Sequence, residues 1–185
     1  LTAKGVEQAE LLANSMTKYP IDYIYSSDLG RAYQTAEIIG NKLNIEVQKT
    51  EALREMNFGT WEGRLIKDIM EEDPKLYRQW RNEPHLAKIP QGETLDQIKE
   101  RTDAFIKEIN EKYDGKHIVL VTHSLCARIM LLSFLNSSVE NIYRLNQGNT
   151  ALNIIELRDY GPVVMKMNDT THIINDEKIE NSALE

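Results

Sequence analysis

The chain has 185 residues, 41% hydrophobic and 28% charged, a length and balance that fit one globular domain with a substantial core. Its net charge of −7 leaves no cationic excess, which excludes general binding to nucleic acid or anionic membranes and requires a local cationic pocket for any phosphate ligand. The single cysteine, Cys126, excludes an intrachain disulfide and points to a reducing, cytoplasmic setting, and no apolar run approaches a membrane span.

In chain order, Thr2 reads as the cap of a helix ending near Lys18, with Val6, Ala9, Ala13 and Met16 at helical spacing. Ile21–Ser26 reads as a strand, and 29–43 as a helix with Ala32, Ala36, Ile39 and Leu43 on one face. A short strand is expected at Ile45–Val47, then a loop over 51–63 with Gly59 and Gly63. Residues 64–82 predict helix broken at Asp73-Pro74, and 83–92, with Pro84, Pro90 and Gly92, predict loop. Thr94 and Gln97 form a capping box for a helix from Thr94 to Tyr113, whose stripe is Leu95, Ile98, Thr102, Phe105 and Ile109. A strand of buried type over 117–122 runs into His123, and 124–135 reads as helix. Ala151–Leu157 and Pro162–Met167 predict two strands about a turn at Asp159-Tyr160-Gly161, and the polar tail after Asn175 is expected to fray. No repeat or linker divides the chain, so 1–185 reads as one domain with 64–92 as a small cap.

Strands alternating with helices predict an α/β fold: a three-layer α/β/α sandwich around a mostly parallel sheet. The chain opens on a helix, however, and a right-handed crossover into the 21–26 strand wants a strand before Thr2. The expectation is that the first central strand is absent from this chain and precedes Leu1 in the natural protein.

Two strand–helix junctions carry the chemistry. His123 lies at the carboxyl end of one strand and the amino end of a helix, the edge where open α/β sheets bind ligands and where helix N–H groups favour anions. Arg31, in Ser26-Ser27-Asp28-Leu29-Gly30-Arg31, offers a planar fork of donors for phosphate oxygens in the first turn of another helix. Glu55, among Met56, Phe58 and Trp61, would hold its proton more readily in such apolar surroundings and so serve as an acid. The plain alternatives stay open on physics alone: a packed histidine, an arginine paired with Asp28 or Glu37, a surface glutamate paired with Arg54. Cys126 and Arg128 are too close for a cysteine-phosphatase loop, Ser124 is in no nucleophile elbow, and no Walker loop occurs. His85, His117, His123 and His172 lack metal-ligand spacing, so no metal or other cofactor is expected. His85 and His117 read as solvated, and His172 as structural.

Taken together, Leu1-Thr2-x-x-Gly5-x-x-Gln8-Ala9, Ser26-x-x-x-Gly30-Arg31-Ala32-x-x-Thr35-Ala36, Leu53-Arg54-Glu55-x-x-x-Gly59-x-Trp61-Glu62-Gly63, Gly92-Glu93-Thr94 and Val121-Thr122-His123 resemble the histidine phosphatases, the phosphoglycerate-mutase-like superfamily. The likeness extends to Asn149-Thr150-Ala151 and Thr171-His172, nearly the whole chain. It implies a metal-independent phosphomonoesterase that forms a phosphohistidine. Arg31 and His123 would bind the phosphoryl oxygens, and Glu55 would protonate the leaving oxygen and then activate water. Asn149 would add a contact, and Gly92, Glu93 and Thr94 would lie by the pocket mouth. The family's nucleophile stands in an Arg-His-Gly motif on the first strand, and no Arg-His pair occurs here. The missing strand and the missing nucleophile are therefore expected to be one segment upstream of Leu1. Ser124 stands where the family often has glycine. The compact 64–92 segment resembles the phosphatase branch, with its broad-specificity and α-ribazole phosphatases, more than the mutases; Tyr77, Arg78, Trp80 and Arg81 read either as the lining of a cap over a small-molecule phosphomonoester or, slightly preferred, as an amphipathic cap helix with solvated arginines. A mutase, or a phosphate-binding protein without catalysis, is the alternative; the oligomeric state is not legible.

Overall fold

A computed structural model describes residues 1–173; the tail expected to fray lies outside the described residues. The framework is a parallel sheet of three strands: β1 (Tyr23–Ser27), β2 (Val47–Thr50) and β3 (Ile118–Val121), in the order β2-β1-β3. Ile24 lies opposite Val47 on one side and Val119 on the other, so all three strands end at the same edge.

Alternation along the strands divides the core into two layers. Ile24, Val47, Val119 and Val121 face α1 (Ala3–Met16) and α2 (Gly30–Leu43), where Leu12, Ala13, Met16, Ala36 and Ile39 complete one cluster. Tyr25, Ile118 and Leu120 face α5 (Leu95–Lys112) and α6 (Ser124–Phe134), where Ile98, Phe105, Leu125 and Ile129 belong to the other. This is the α/β/α arrangement that strand–helix alternation requires.

The helices start where side chains accept the first free N–H groups. Thr2 accepts from Gly5 N at 3.1 Å, and Thr94 and Gln97 close a reciprocal capping box. Asp73 accepts from Leu76 N at 3.0 Å and is followed by Pro74, so the expected break separates α3 (Ile66–Glu72) from α4 (Pro74–Asn82). In α1 the stripe is Ala9, Leu12, Ala13 and Met16; Val6 is one turn too early to reach the core and is exposed.

Two expectations need correction, while the pair of strands expected about the 159–161 turn is found. The second strand begins two residues later than periodicity suggested, because Asn44 leaves α2 in a left-handed turn and Ile45 N returns to Gly40 O. The segment before His123 is of half-buried, not buried, character: among the described residues β3 pairs with β1 only, so Ile118 to Val121 all keep partial exposure. The last two strands, β4 (Leu152–Arg158) and β5 (Gly161–Asp169), form an antiparallel hairpin that pairs only with itself among the described residues.

The loop over 54–65 is pinned by one close approach. Gly59 has φ +53°, and a Cβ there would stand 2.2 Å from Pro90 O and 2.4 Å from Gly92 N. Thr60 N donates to Pro90 O and Glu93 N to Asn57 O, so the two loops hold each other. Gly59→Ala combines left-handed strain with backbone overlap and is expected to cost about 2–3 kcal/mol, read as a lower urea midpoint at unchanged m; an unchanged midpoint would show that the loops can part freely.

Candidate active site

The site forms at the carboxyl edge of the sheet. Ser26 pairs with Val121, which places Ser27 and the following Asp28 beside Thr122 and His123. His123 is 6% exposed and its Nε2 stands 2.9 Å from the Oγ of fully buried Ser27, which also accepts from Leu29 N at 3.2 Å. Ser27 thereby orients the imidazole and starts the turn into α2. Thr122 Oγ1 donates to Leu53 O at 2.7 Å, joining the end of β3 to the segment that carries Glu55.

Glu55 does not sit in the apolar pocket its neighbours suggested. Phe58 and Trp61 turn away to pack edge-on against Trp80 of α4, and Met56 enters the core. The carboxylate instead lies on the amino end of α6: Oε2 accepts from Leu125 N at 3.2 Å, and Oε1 from Cys126 N and Met56 N, each at 3.1 Å. Two orphan N–H groups of α6 are satisfied by a side chain seventy positions earlier, and the positive end of the helix holds a negative group. The alternative partner, Arg54, is committed elsewhere, to both oxygens of Asp28 at 2.7 and 2.5 Å and to Glu51 at 3.0 Å. Arg54 holds the Asp28 carboxyl below its ordinary value.

That pairing settles the alternative for Arg31. Asp28 is taken, Glu37 acts on Tyr33, and Arg31 forms no ion pair among the described residues; it is exposed in the first turn of α2. Its charge nevertheless reaches His123. Burial, then the charges of Arg31 and Arg101, push the His123 imidazole down to about 4. A ring that stays neutral beside an unpaired guanidinium is a neutral donor next to a cationic one, an arrangement suited to an anion.

Arg101, which sequence reasoning did not single out, organises the loop. Its guanidinium donates to Ala52 O at 2.7 Å, to Arg54 O at 2.8 Å and to Glu55 O at 3.4 Å, and pairs with Glu93 at 2.9 Å. Its signal was an arginine beside the buried stripe of α5, between Ile98 and Thr102. Glu93 is used within the fold, accepting from Arg101 and from Asn57 N at 2.9 Å, and the Thr94 hydroxyl caps α5. Asn149 is exposed in the turn before β4, with no hydrogen bond to His123, Glu55 or Arg31. His172 bonds Thr150 Oγ1 at 3.2 Å, and burial lowers its pKa. His117 is exposed, but His85 is half-buried with an unpartnered Nδ1 rather than solvated. The Cys126 thiol is fully buried and pushed up to about 11 by burial, which leaves it inert. Among the described residues no three His, Cys, Asp or Glu side chains gather to hold a metal ion, and no helix is long and apolar enough to cross a membrane.

Because the His123 imidazole ionises far below an unfolded histidine, the unfolded chain binds the extra proton first. Stability is complete above about pH 6.5 and falls as pH drops toward 4, by about 3 kcal/mol from this group. Urea melts between pH 7 and 4 should show that slope, and His123→Gln should flatten it; an NMR titration of His123 near 6.5 would contradict the buried neutral ring.

The model of the histidine phosphatase superfamily (branch 1) matches residues 1–170. The chain is 31% identical over 173 residues to phosphoserine phosphatase 1 of Hydrogenobacter thermophilus, covering 94% of this chain and 82% of that protein. It is 30% identical over 178 residues to a probable phosphoglycerate mutase, GpmB, of Yersinia pestis, covering 94% and 83%. Among solved structures, Bacillus stearothermophilus YhfR superposes with a TM-score of 0.89 at 27% identity, covering 93% of this chain and 86% of that one. The α-ribazole phosphatase of Shigella flexneri superposes with a TM-score of 0.83 at 26% identity, covering 92% and 84%. With the family model spanning both junctions, the Glu55 loop and the hairpin, this chain belongs to the histidine phosphatase superfamily, branch 1.

Proposed function

We propose that this protein hydrolyses a small phosphomonoester without a metal, through a phosphohistidine, and that its nucleophilic histidine lies on a strand upstream of Leu1. The observation that carries the reading is the convergence at one sheet edge of a neutral buried His123, the unpaired Arg31 and a carboxylate, Glu55, fixed two and three residues beyond His123 on the same helix end. Relatives that are phosphatases, for phosphoserine and α-ribazole phosphate, support the same class.

In this scheme the phosphoryl oxygens lie against Arg31 and His123, whose donors take up charge as phosphorus is attacked. The new bond joins histidine nitrogen to phosphorus, and the bond from phosphorus to the ester oxygen breaks. Glu55, in its acid form, gives that oxygen a proton; the resulting carboxylate then takes a proton from water as water attacks phosphorus and releases the histidine. Oε2, with one N–H partner against two on Oε1, is the oxygen free to carry this proton. Glu93 and Thr94 border the mouth, Asn149 approaches from the turn before β4, and residues 64–92 cover the leaving group, all within one domain in the cytoplasm.

The upstream strand is supported by β3. Its second edge and that of the β4–β5 hairpin lack partners among the described residues, and four apolar residues, Ile118 to Val121, remain half-exposed. A parallel strand there would cover them and bring its carboxyl end to His123. The relative named as a phosphoglycerate mutase keeps transfer between substrate hydroxyls as the second reading.

In the full-length protein, His123→Ala and Arg31→Ala are each expected to lower turnover of p-nitrophenyl phosphate by roughly 100-fold or more with little change in the far-UV spectrum. Near-wild-type turnover in either variant would remove it from the site. Phosphate release measured beside 2- and 3-phosphoglycerate interconversion separates hydrolase from mutase. An upstream segment without Arg-His-Gly would leave a phosphate binder without catalysis.

A further inference from the structure

The turn that carries Asn149 is held in a conformation its residues resist. Thr150 has φ +52°, a left-handed backbone that a β-branched residue adopts only under constraint. The constraint comes from the end of β5 and the residues just after it. Asn168 Oδ1 accepts from Gly148 N at 2.8 Å, and a Cβ on Gly148 would stand 3.3 Å from the Thr170 methyl. Two residues on, His172 Nε2 stands 3.2 Å from Thr150 Oγ1. Asn168 is itself left-handed, at φ +53°, and its N donates to Asn153 Oδ1 at 2.8 Å, so this clamp is anchored in β4.

Asn149, between the two clamped residues, is exposed and its side chain makes no hydrogen bond among the described residues. A strained backbone is retained only where the surrounding structure over-determines it, and here it fixes the direction of a free amide. The place is the ligand edge of the sheet. Leu152, at the start of β4, packs in the same cluster as Ile24 and Val121, and Val121 ends β3 two residues before His123. Burial lowers the pKa of His172, although the Asp169 carboxylate and the Thr150 backbone act the other way.

We infer that His172 is a positioning residue for the reaction: by holding Thr150 in its left-handed turn it presents the Asn149 amide to the phosphoryl group at the sheet edge. This rests on the phosphomonoesterase reading. The imidazole itself touches neither the substrate nor the reacting atoms. Without its bond Thr150 relaxes to negative φ, the peptide between Asn149 and Thr150 rotates, and the amide no longer points at the edge.

A double-mutant cycle in the full-length protein, with p-nitrophenyl phosphate as substrate, tests the link between His172 and Asn149. Asn149→Ala, His172→Ala and Thr150→Val, which keeps the branch and loses only the hydroxyl, should each lower kcat roughly 10-fold and change KM by less than about threefold. The variant that combines Asn149→Ala with His172→Ala should be no slower than either single one, because both remove the same contact. His172→Gln, whose amide can reach the same hydroxyl, should recover part of the loss. Losses that multiply in the double variant, the mark of a general structural effect, would overturn the inference, as would a silent Asn149→Ala beside a slow His172→Ala, or full turnover in Thr150→Val. Should His172→Ala fail to fold, the same cycle run with Thr150→Val and Asn149→Ala decides. Should the wild type hydrolyse no ester, the hydrolase reading fails, and the Thr150 Cα and Cβ NMR shifts still decide whether His172 holds the turn: left-handed values lost in His172→Ala support it, and values unchanged in that variant overturn it.

Discussion

One guanidinium holds the candidate site in register. Arg101 projects from α5 and ties three carbonyls between Ala52 and Glu55 to the carboxylate of Glu93. Those carbonyls belong to a stretch with little regular structure of its own, a short 3-10 turn and then loop, so their partners must come from elsewhere. With the backbone fixed there, Glu55 reaches the amino end of α6, Arg54 reaches Asp28, and Leu53 O receives Thr122. The three segments that carry Arg31, Glu55 and His123 are thus bound to one another by charge-assisted bonds rather than by the sheet alone.

The sheet supplies the other half of the constraint. Parallel pairing of β1 with both neighbours brings every strand's carboxyl end to one edge, and the residue after each strand enters a helix or turn whose N–H groups point at that edge. Local positive potential accumulates there although the chain as a whole carries −7. A neutral His123 fits that setting: burial and the guanidinium charges of Arg31 and Arg101 keep its proton off until an anion arrives to favour it. Glu55, held on the amino end of α6, presents its carboxyl group at the same edge.

Much of this was legible from residue order. Capping at Thr2, Thr94 and Asp73-Pro74 follows from short-range hydrogen bonding, and the helices start where those side chains say. The two strand–helix junctions and the family resemblance rest on motifs spread over nearly the whole chain, and the family model covers 1–170. Less legible was the surrounding of Glu55. Its neighbours in sequence are apolar, yet a loop residue does not share its neighbours' environment: Phe58 and Trp61 leave for the α4 cluster while the carboxylate turns the other way. The half-exposed β3 was misread for a related reason, since apolar composition records what a strand suits, not how many partners it has.

By itself the sequence determined the α/β class, the helix limits, the family and the residue types available for phosphate chemistry, because periodicity, capping and motif spacing are local properties of the chain. Which of those residues are free to act was decided only by tertiary structure. Arg54 takes Asp28 and leaves Arg31 unpaired; Arg101 takes Glu93; α6 takes Glu55; and Thr150 takes His172 beside an unpartnered Asn149. Those are contests for partners between segments far apart in sequence, and their outcome depends on distances that only the folded packing sets.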